Sequence, residues 1–182
     1  MVRDANIPLW IGNIVGISGS CFAGFLIYAA PTFTSVLIRF ILYLISMACL
    51  IFFPHCLAHF VVGSLMGVHF KHYSLSRSGI ARLGIPIISD LASRLPLLSI
   101  RIDRVSFSTL SGRARVAMFA SGALCSMSLP FASVVWSLDE LPISFSFVLL
   151  MICLGNVLFE IYYSPKSGDF SRIKLEKNSL RL

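Results

Sequence analysis

Two histidines four residues apart, His55 and His59, sit in a long apolar run that reads Pro54-His55-Cys56-Leu57-Ala58-His59-Phe60-Val61-Val62-Gly63. In a helix this spacing puts both imidazoles on one face, one turn apart, where they can grip a single metal ion. Imidazoles at bilayer depth are costly and usually functional; their other role would be as packing residues bonded to backbone carbonyls. A metal needs a third ligand, and the candidate is Asp169 in Ser164-Pro165-Lys166-Ser167-Gly168-Asp169-Phe170. Pro165 and Gly168 are expected to break a helix there and let the carboxylate turn back; otherwise Asp169 is a solvated loop residue. The residue after the first histidine is Cys56, a thiol where hydrolytic chemistry wants a carboxylate base. Glu160, the one acid in the last expected span, is expected to snorkel or to accept hydrogen bonds, with general base as its alternative role. His69 and His72 alternate with apolar residues and are expected on a strand rather than as ligands.

The elements that must position these groups follow from composition. Apolar residues make up 57% of the 182, charged residues only 13%, and mean hydropathy is +0.86. Soluble domains carry about 25% charged residues, so an α-helical integral membrane protein is expected. The net charge of +7 then marks a cytoplasmic side and gives no reason to expect nucleic acid. The cysteines (Cys21, Cys49, Cys56, Cys125 and Cys153) all lie in apolar segments without paired spacing. They read as small buried hydrophobes, not as a disulfide framework.

About four transmembrane helices are expected, at roughly 8–30, 35–67, 116–136 and 142–163, in a single membrane domain covering 1–182. The first is longer than the apolar core of a secretory signal and is expected to be retained. Residues 1–7 form a short polar start, and Pro31 to Thr34 a tight turn. The second stretch exceeds one straight span and is expected to kink at Pro54, with Arg39 snorkelling to the outer interface. The loop 68–115 is basic and β-rich. Val68 to Leu75 and Leu98 to Phe107 alternate like strands, which predicts a small membrane-associated sheet, with breaks at Ser78-Gly79 and Gly84-Ile85-Pro86. Asp139 and Glu140 mark an outer turn. Loop 68–115 and the basic tail 164–182 both fall on the cytoplasmic side, and so do both termini.

The stretch from His55 to His59, continuing through Gly67-Val68-His69-Phe70-Lys71-His72-Tyr73-Ser74-Leu75, resembles the site-2 protease family of intramembrane zinc metalloproteases. That family runs H-E-x-x-H, a short apolar helix end, then a G-V-x-x-x-x-x-S-L strand. Ala120 to Ser126 stands where the family has its A-G-P-x-x-N helix, and Asn156 to Asp169 where it has N-x-x-P followed by L-D-G. The resemblance covers roughly residues 40 to 173. It implies zinc held by His55, His59 and Asp169 below the cytoplasmic surface, and a sheet edge along which an unwound transmembrane substrate can pair. The departures are chemical. Cys56 replaces the general-base glutamate, Ala123 and Ser126 replace the P-x-x-N pair, and Gly168-Asp169-Phe170 replaces the L-D-G core.

Loss of a general base typically costs about 10²–10⁴-fold in rate. The expectation is therefore a site-2-protease-like pseudoprotease that binds or stabilises a transmembrane partner, as a possible subunit of a larger membrane complex. Two alternatives stand beside it. One is an active intramembrane zinc metalloprotease with Glu160 as substitute base; the other is a purely structural subunit whose histidines only pack.

Overall fold

The computed structural model describes residues 5–77 and 96–179; the expected breaks at Ser78-Gly79 and Gly84-Ile85-Pro86 lie outside them. The chain runs β1 (Ala5–Ile7), α1 (Leu9–Ala29), a 3₁₀ turn (Ala30–Thr32), α2 (Val36–Leu65), β2 (Phe70–Arg77), β3 (Pro96–Ile102), α3 (Arg104–Ser108), α4 (Gly112–Ser128), α5 (Phe131–Glu140), α6 (Ile143–Ser167) and α7 (Asp169–Ser179). Four helical stretches among the described residues are long and apolar enough to cross a membrane: Leu9–Thr32, Val36–Leu65, Gly112–Glu140 and Ile143–Lys166.

These helices bury small residues and turn large apolar ones outward. Gly12, Gly16, Gly19 and Ala23 of α1 are buried, while Trp10, Ile14, Phe22 and Phe25 are exposed. A Cβ at Gly19 would run into the Phe53 ring, so a glycine there sets how closely α1 approaches α2. At one end of the bundle Ala23, Ile27, Tyr43, Met47, Val134 and Leu149 form a contiguous core. At the other end Val68, Met118, Phe119 and Ile173 pack together, with Phe70, Ile102 and Phe107 against them.

Several boundaries differ from the sequence expectation, each for a local reason. α2 runs unbroken through Pro54, whose missing N–H removes only one helical bond. It ends just before Gly67, where the expected span ends, and the φ of +89° there is open to glycine but strained for other residues. Val68 N–H closes the turn on the Gly63 carbonyl at 2.9 Å. The third apolar segment is two helices, α4 and α5, broken at Leu129-Pro130. The second expected strand ends at Ile102, because Asp103 caps a short helix by accepting from Ser106 N–H at 3.2 Å. That bond, together with Lys71 at 3.1 Å, holds the half-buried Asp103 carboxyl below the usual carboxylate range.

β1, β2 and β3 form an antiparallel sheet in that order, pairing Ala5 with Leu75 and Leu75 with Leu98. The first expected strand is thus shifted to Phe70–Arg77, and the polar start contributes an edge strand. Tyr73 of β2 fixes the sheet to α1. Its ring lies over Gly12, where a Cβ would overlap it, and its hydroxyl donates to Asn13 Oδ1 at 2.8 Å. Burial pushes the Tyr73 phenol up.

Candidate metal centre

α2 sets the histidines. His55 and His59 leave the same face one turn apart, their rings edge to face with centroids 4.9 Å apart. The third residue arrives from the other end of the chain. α6 continues through Pro165 to Ser167, and it is Gly168 that ends it, its N–H closing on the Ser164 carbonyl at 2.8 Å. The Ser164 hydroxyl then accepts from Phe170 N–H at 3.0 Å. This tight link makes Asp169 the first residue of a helix within the expected basic tail.

Asp169 Oδ2 lies 3.2 Å from His55 Nε2 and 3.1 Å from His59 Nε2. The candidate ligand atoms of the three residues all lie within 4.8 Å of one another, and among the described residues they form a group able to hold a metal ion.

The proton inventory decides what such a group needs. A carbonyl only accepts, so His59 Nδ1 carries a proton and donates it to the Met118 carbonyl at 2.7 Å. Ser126 Oγ spends its own proton on the helix carbonyls of Gly122 and Ala123, 3.2 and 3.1 Å away. With its proton there it accepts from His55 Nδ1 at 3.3 Å, the tautomer that leaves His55 Nε2 bare. Each neutral imidazole therefore presents a bare Nε2 to an ionised carboxylate. Three acceptors converge, and buried acceptors without a donor are expensive. A cation among them, a metal ion or an added proton, removes the conflict. Donors bound at about 2.0–2.1 Å to one tetrahedral metal lie about 3.3 Å apart, close to the two Nε2–Oδ2 separations.

The surroundings hold the ligands in place. Nδ1–H bonds to a carbonyl or hydroxyl are the usual way to aim a ligating imidazole. Gly122 of α4 faces His59, and a Cβ there would overlap the ring. Asn156 of α6 donates to the Ser126 carbonyl at 3.0 Å and ties the helix that ends near Asp169 to the helix that aims the histidines. α7 is clamped to α4 by an Arg115–Glu176 ion pair at 2.9 Å and by Arg172 over the Phe119 ring, 5.3 Å from its centroid.

The other expected residues fall outside the ligand group. Cys56 is buried and its thiol donates to the Leu98 carbonyl of β3 at 3.0 Å, so the position beside the first histidine ties the sheet to α2. Glu160 is half-buried on α6, within electrostatic range of His55 and Asp169, and it interacts with Ser164. His69 is exposed, its backbone N–H bonded to Ser106 Oγ at 2.9 Å, and His72 lies in β2. Sequence reasoning missed the Met118 carbonyl and the roles of Gly122 and Ser126. The small-residue segment that holds the last two signalled close packing, without showing that the ring packed there was His59.

Compared with protein-family models, curated proteins and solved structures, the chain matches none of them.

Proposed function

We propose that this chain is an integral membrane protein built around a site-2-protease-like zinc centre, and that it works as a pseudoprotease: it holds a transmembrane partner without cutting it. The observation that carries the reading is the meeting of His55 Nε2, His59 Nε2 and Asp169 Oδ2, with His55 Nδ1 bonded to Ser126 and His59 Nδ1 to the Met118 carbonyl. A borderline-soft, four-coordinate ion suits two imidazoles and one carboxylate, and zinc bound there would supply a Lewis acid. Large apolar residues on the outward helix faces support burial in a bilayer. Lys71, Arg101, Arg115, Lys166 and Lys174 lie in or beside the elements at the metal-centre end, which supports a cytoplasmic placement of that end and of both termini.

The missing base supports holding over cutting. A proton acceptor on a metal-bound water must reach that water, and the Cys56 thiol is spent on the Leu98 carbonyl. The same bond brings β3, an edge strand among the described residues, beside the centre. An unwound transmembrane segment would pair there by strand addition.

The test is cleavage of a model transmembrane substrate by the zinc-loaded protein in bilayers. No cleavage by the wild type, with the substrate still captured, is expected, and Cys56→Glu should gain cleavage. Chelator-sensitive cleavage by the wild type that is lost in Glu160→Gln would replace this reading with an active protease using Glu160, the acid within electrostatic range of His55. Absence of zinc together with unchanged assembly in His55→Ala would replace it with a structural subunit.

A further inference from the structure

Beside the metal centre, three arginines from three different elements line one cavity. Arg101 from β3, Arg104 from α3 and Arg172 from α7 share it with Ile100, Ile102 and Phe107, in a volume of about 300 Å³. None of these lining residues is acidic. Acids close by in sequence have partners elsewhere: Asp103 with Lys71 at 3.1 Å, Glu176 with Arg115 at 2.9 Å, and Asp169 with the histidines. Converging like charges repel, and a fold that gathers three of them without a carboxylate among them gains most from an anion.

Two of the three side chains are anchored before any ligand arrives. Arg101 Nε donates to Ser74 Oγ at 3.1 Å, and Arg172 stacks over the Phe119 ring. With Nε spent, the two terminal nitrogens of Arg101 remain for a ligand, in the fork geometry that matches phosphate oxygens. Arg104 opens α3 one residue after its Asp103 cap. The rest of the lining is apolar, and the cavity lies at the end of the bundle where α4 begins and α6 hands over to α7. In the bilayer orientation proposed above, that is headgroup depth.

We propose that Arg101, Arg104 and Arg172 form a phosphate-binding site that takes the phosphate of an anionic phospholipid headgroup, with the Ile100, Ile102 and Phe107 side chains against its glycerol and upper acyl carbons. The site is separate from the metal centre and does not depend on zinc. It shares α7 with Asp169, so an occupied site also braces the helix that carries the third ligand.

The experiment uses the full chain in nanodiscs of neutral phosphatidylcholine, doped with phosphatidic acid or supplied with inorganic phosphate in solution, and measures lipid or phosphate bound per chain. Saturable binding of phosphatidic acid is expected, weakened about tenfold or more in Arg104→Ala and in Arg101→Ala/Arg172→Ala, as for loss of charge-assisted bonds. Lys177→Ala, outside the cavity, should bind as the wild type does. Inorganic phosphate that competes through the same arginines supports the site with a soluble source of the group, whereas failure to compete assigns it to lipid. Arg104→Lys, which keeps the charge and loses the fork, guards against misfolding and should retain partial binding. Equal binding by wild type and arginine variants, or no binding of either ligand, overturns the proposal.

Discussion

The two ends of the helical bundle both bury polar side chains, and they treat them in opposite ways. At the end away from the sheet, Ser46, Ser133, Ser137 and Ser146 are all fully buried. Ser46 donates to the Ala23 carbonyl at 2.8 Å, Ser133 to Ser46 at 3.3 Å, Ser137 to the Val134 carbonyl at 2.7 Å, and Ser146 to the Ser137 carbonyl at 2.9 Å. Each hydroxyl proton has an acceptor within the bundle, so those donors are satisfied at that end. Even its charge is closed, with Arg39 reaching the Glu140 carbonyl at 3.1 Å and the Glu140 carboxylate at 3.5 Å. At the sheet end His59 Nδ1 donates away from the centre to the Met118 carbonyl, and His55 Nε2, His59 Nε2 and Asp169 Oδ2 face one another. The contrast separates polar groups that staple helices from polar groups that await a cation.

The largest effect should come from removing a ligand. In His59→Ala the bound zinc should be lost outright. With it would go the stabilisation that ligand gives, about 4 kcal/mol at a thousandfold excess over the dissociation constant, read as a lower thermal midpoint in zinc buffer. Unchanged zinc content would erase the distinction between the two ends.

Gly122→Ala comes next, since its new methyl would overlap the His59 imidazole. Overpacking of this kind costs about 1–3 kcal/mol and should also turn the ring off the site, so zinc affinity and stability fall together. Gly24→Ala, at a position where a Cβ meets nothing within 4 Å, is the matched control and should change neither.

A smaller, separable effect is expected at the clamp on α7. Breaking the pair with Glu176→Ala should weaken zinc binding about tenfold, the lower range for outer-sphere positioning groups, with little change in apo stability. The Arg115→Glu/Glu176→Arg exchange should restore much of it, which loss of a merely structural contact on α4 would not require. The smallest effect belongs to the end away from the sheet. Ser137→Ala should cost about 1 kcal/mol and leave zinc content where it was; a change in zinc binding there would mean the two ends are coupled.

The His55, His59 and Asp169 group was legible before the fold because each part has a strong local signature. A helical period places His55 beside His59, and a glycine next to an acid marks a chain that can turn back. The four apolar stretches were legible for the same reason, length and composition being enough. What escaped is what depends on a partner distant in sequence. Ala5–Ile7 is too short to show a period and becomes a strand only because β2 offers it an edge. The helix Asp169–Ser179 looks like a basic tail, and it is the packing of Ile173 against Met118 and Phe119 that gives it a buried face. The split of the third apolar segment at Pro130 was overridden in the reading by unbroken hydropathy. Cys56 shows the limit most clearly, since a missing carboxylate could be read directly but the Leu98 carbonyl it bonds lies 42 residues away.

The most direct test of the central claim is the metal content of the detergent-purified full chain, measured by elemental analysis after zinc supplementation and desalting, beside His55→Ala and Asp169→Ala. The account expects about one zinc per chain in the wild type, consistent with a single three-residue ligand group, and none in either variant. A wild type that is folded yet zinc-free would contradict it and leave the His55, His59 and Asp169 cluster held together by protons alone.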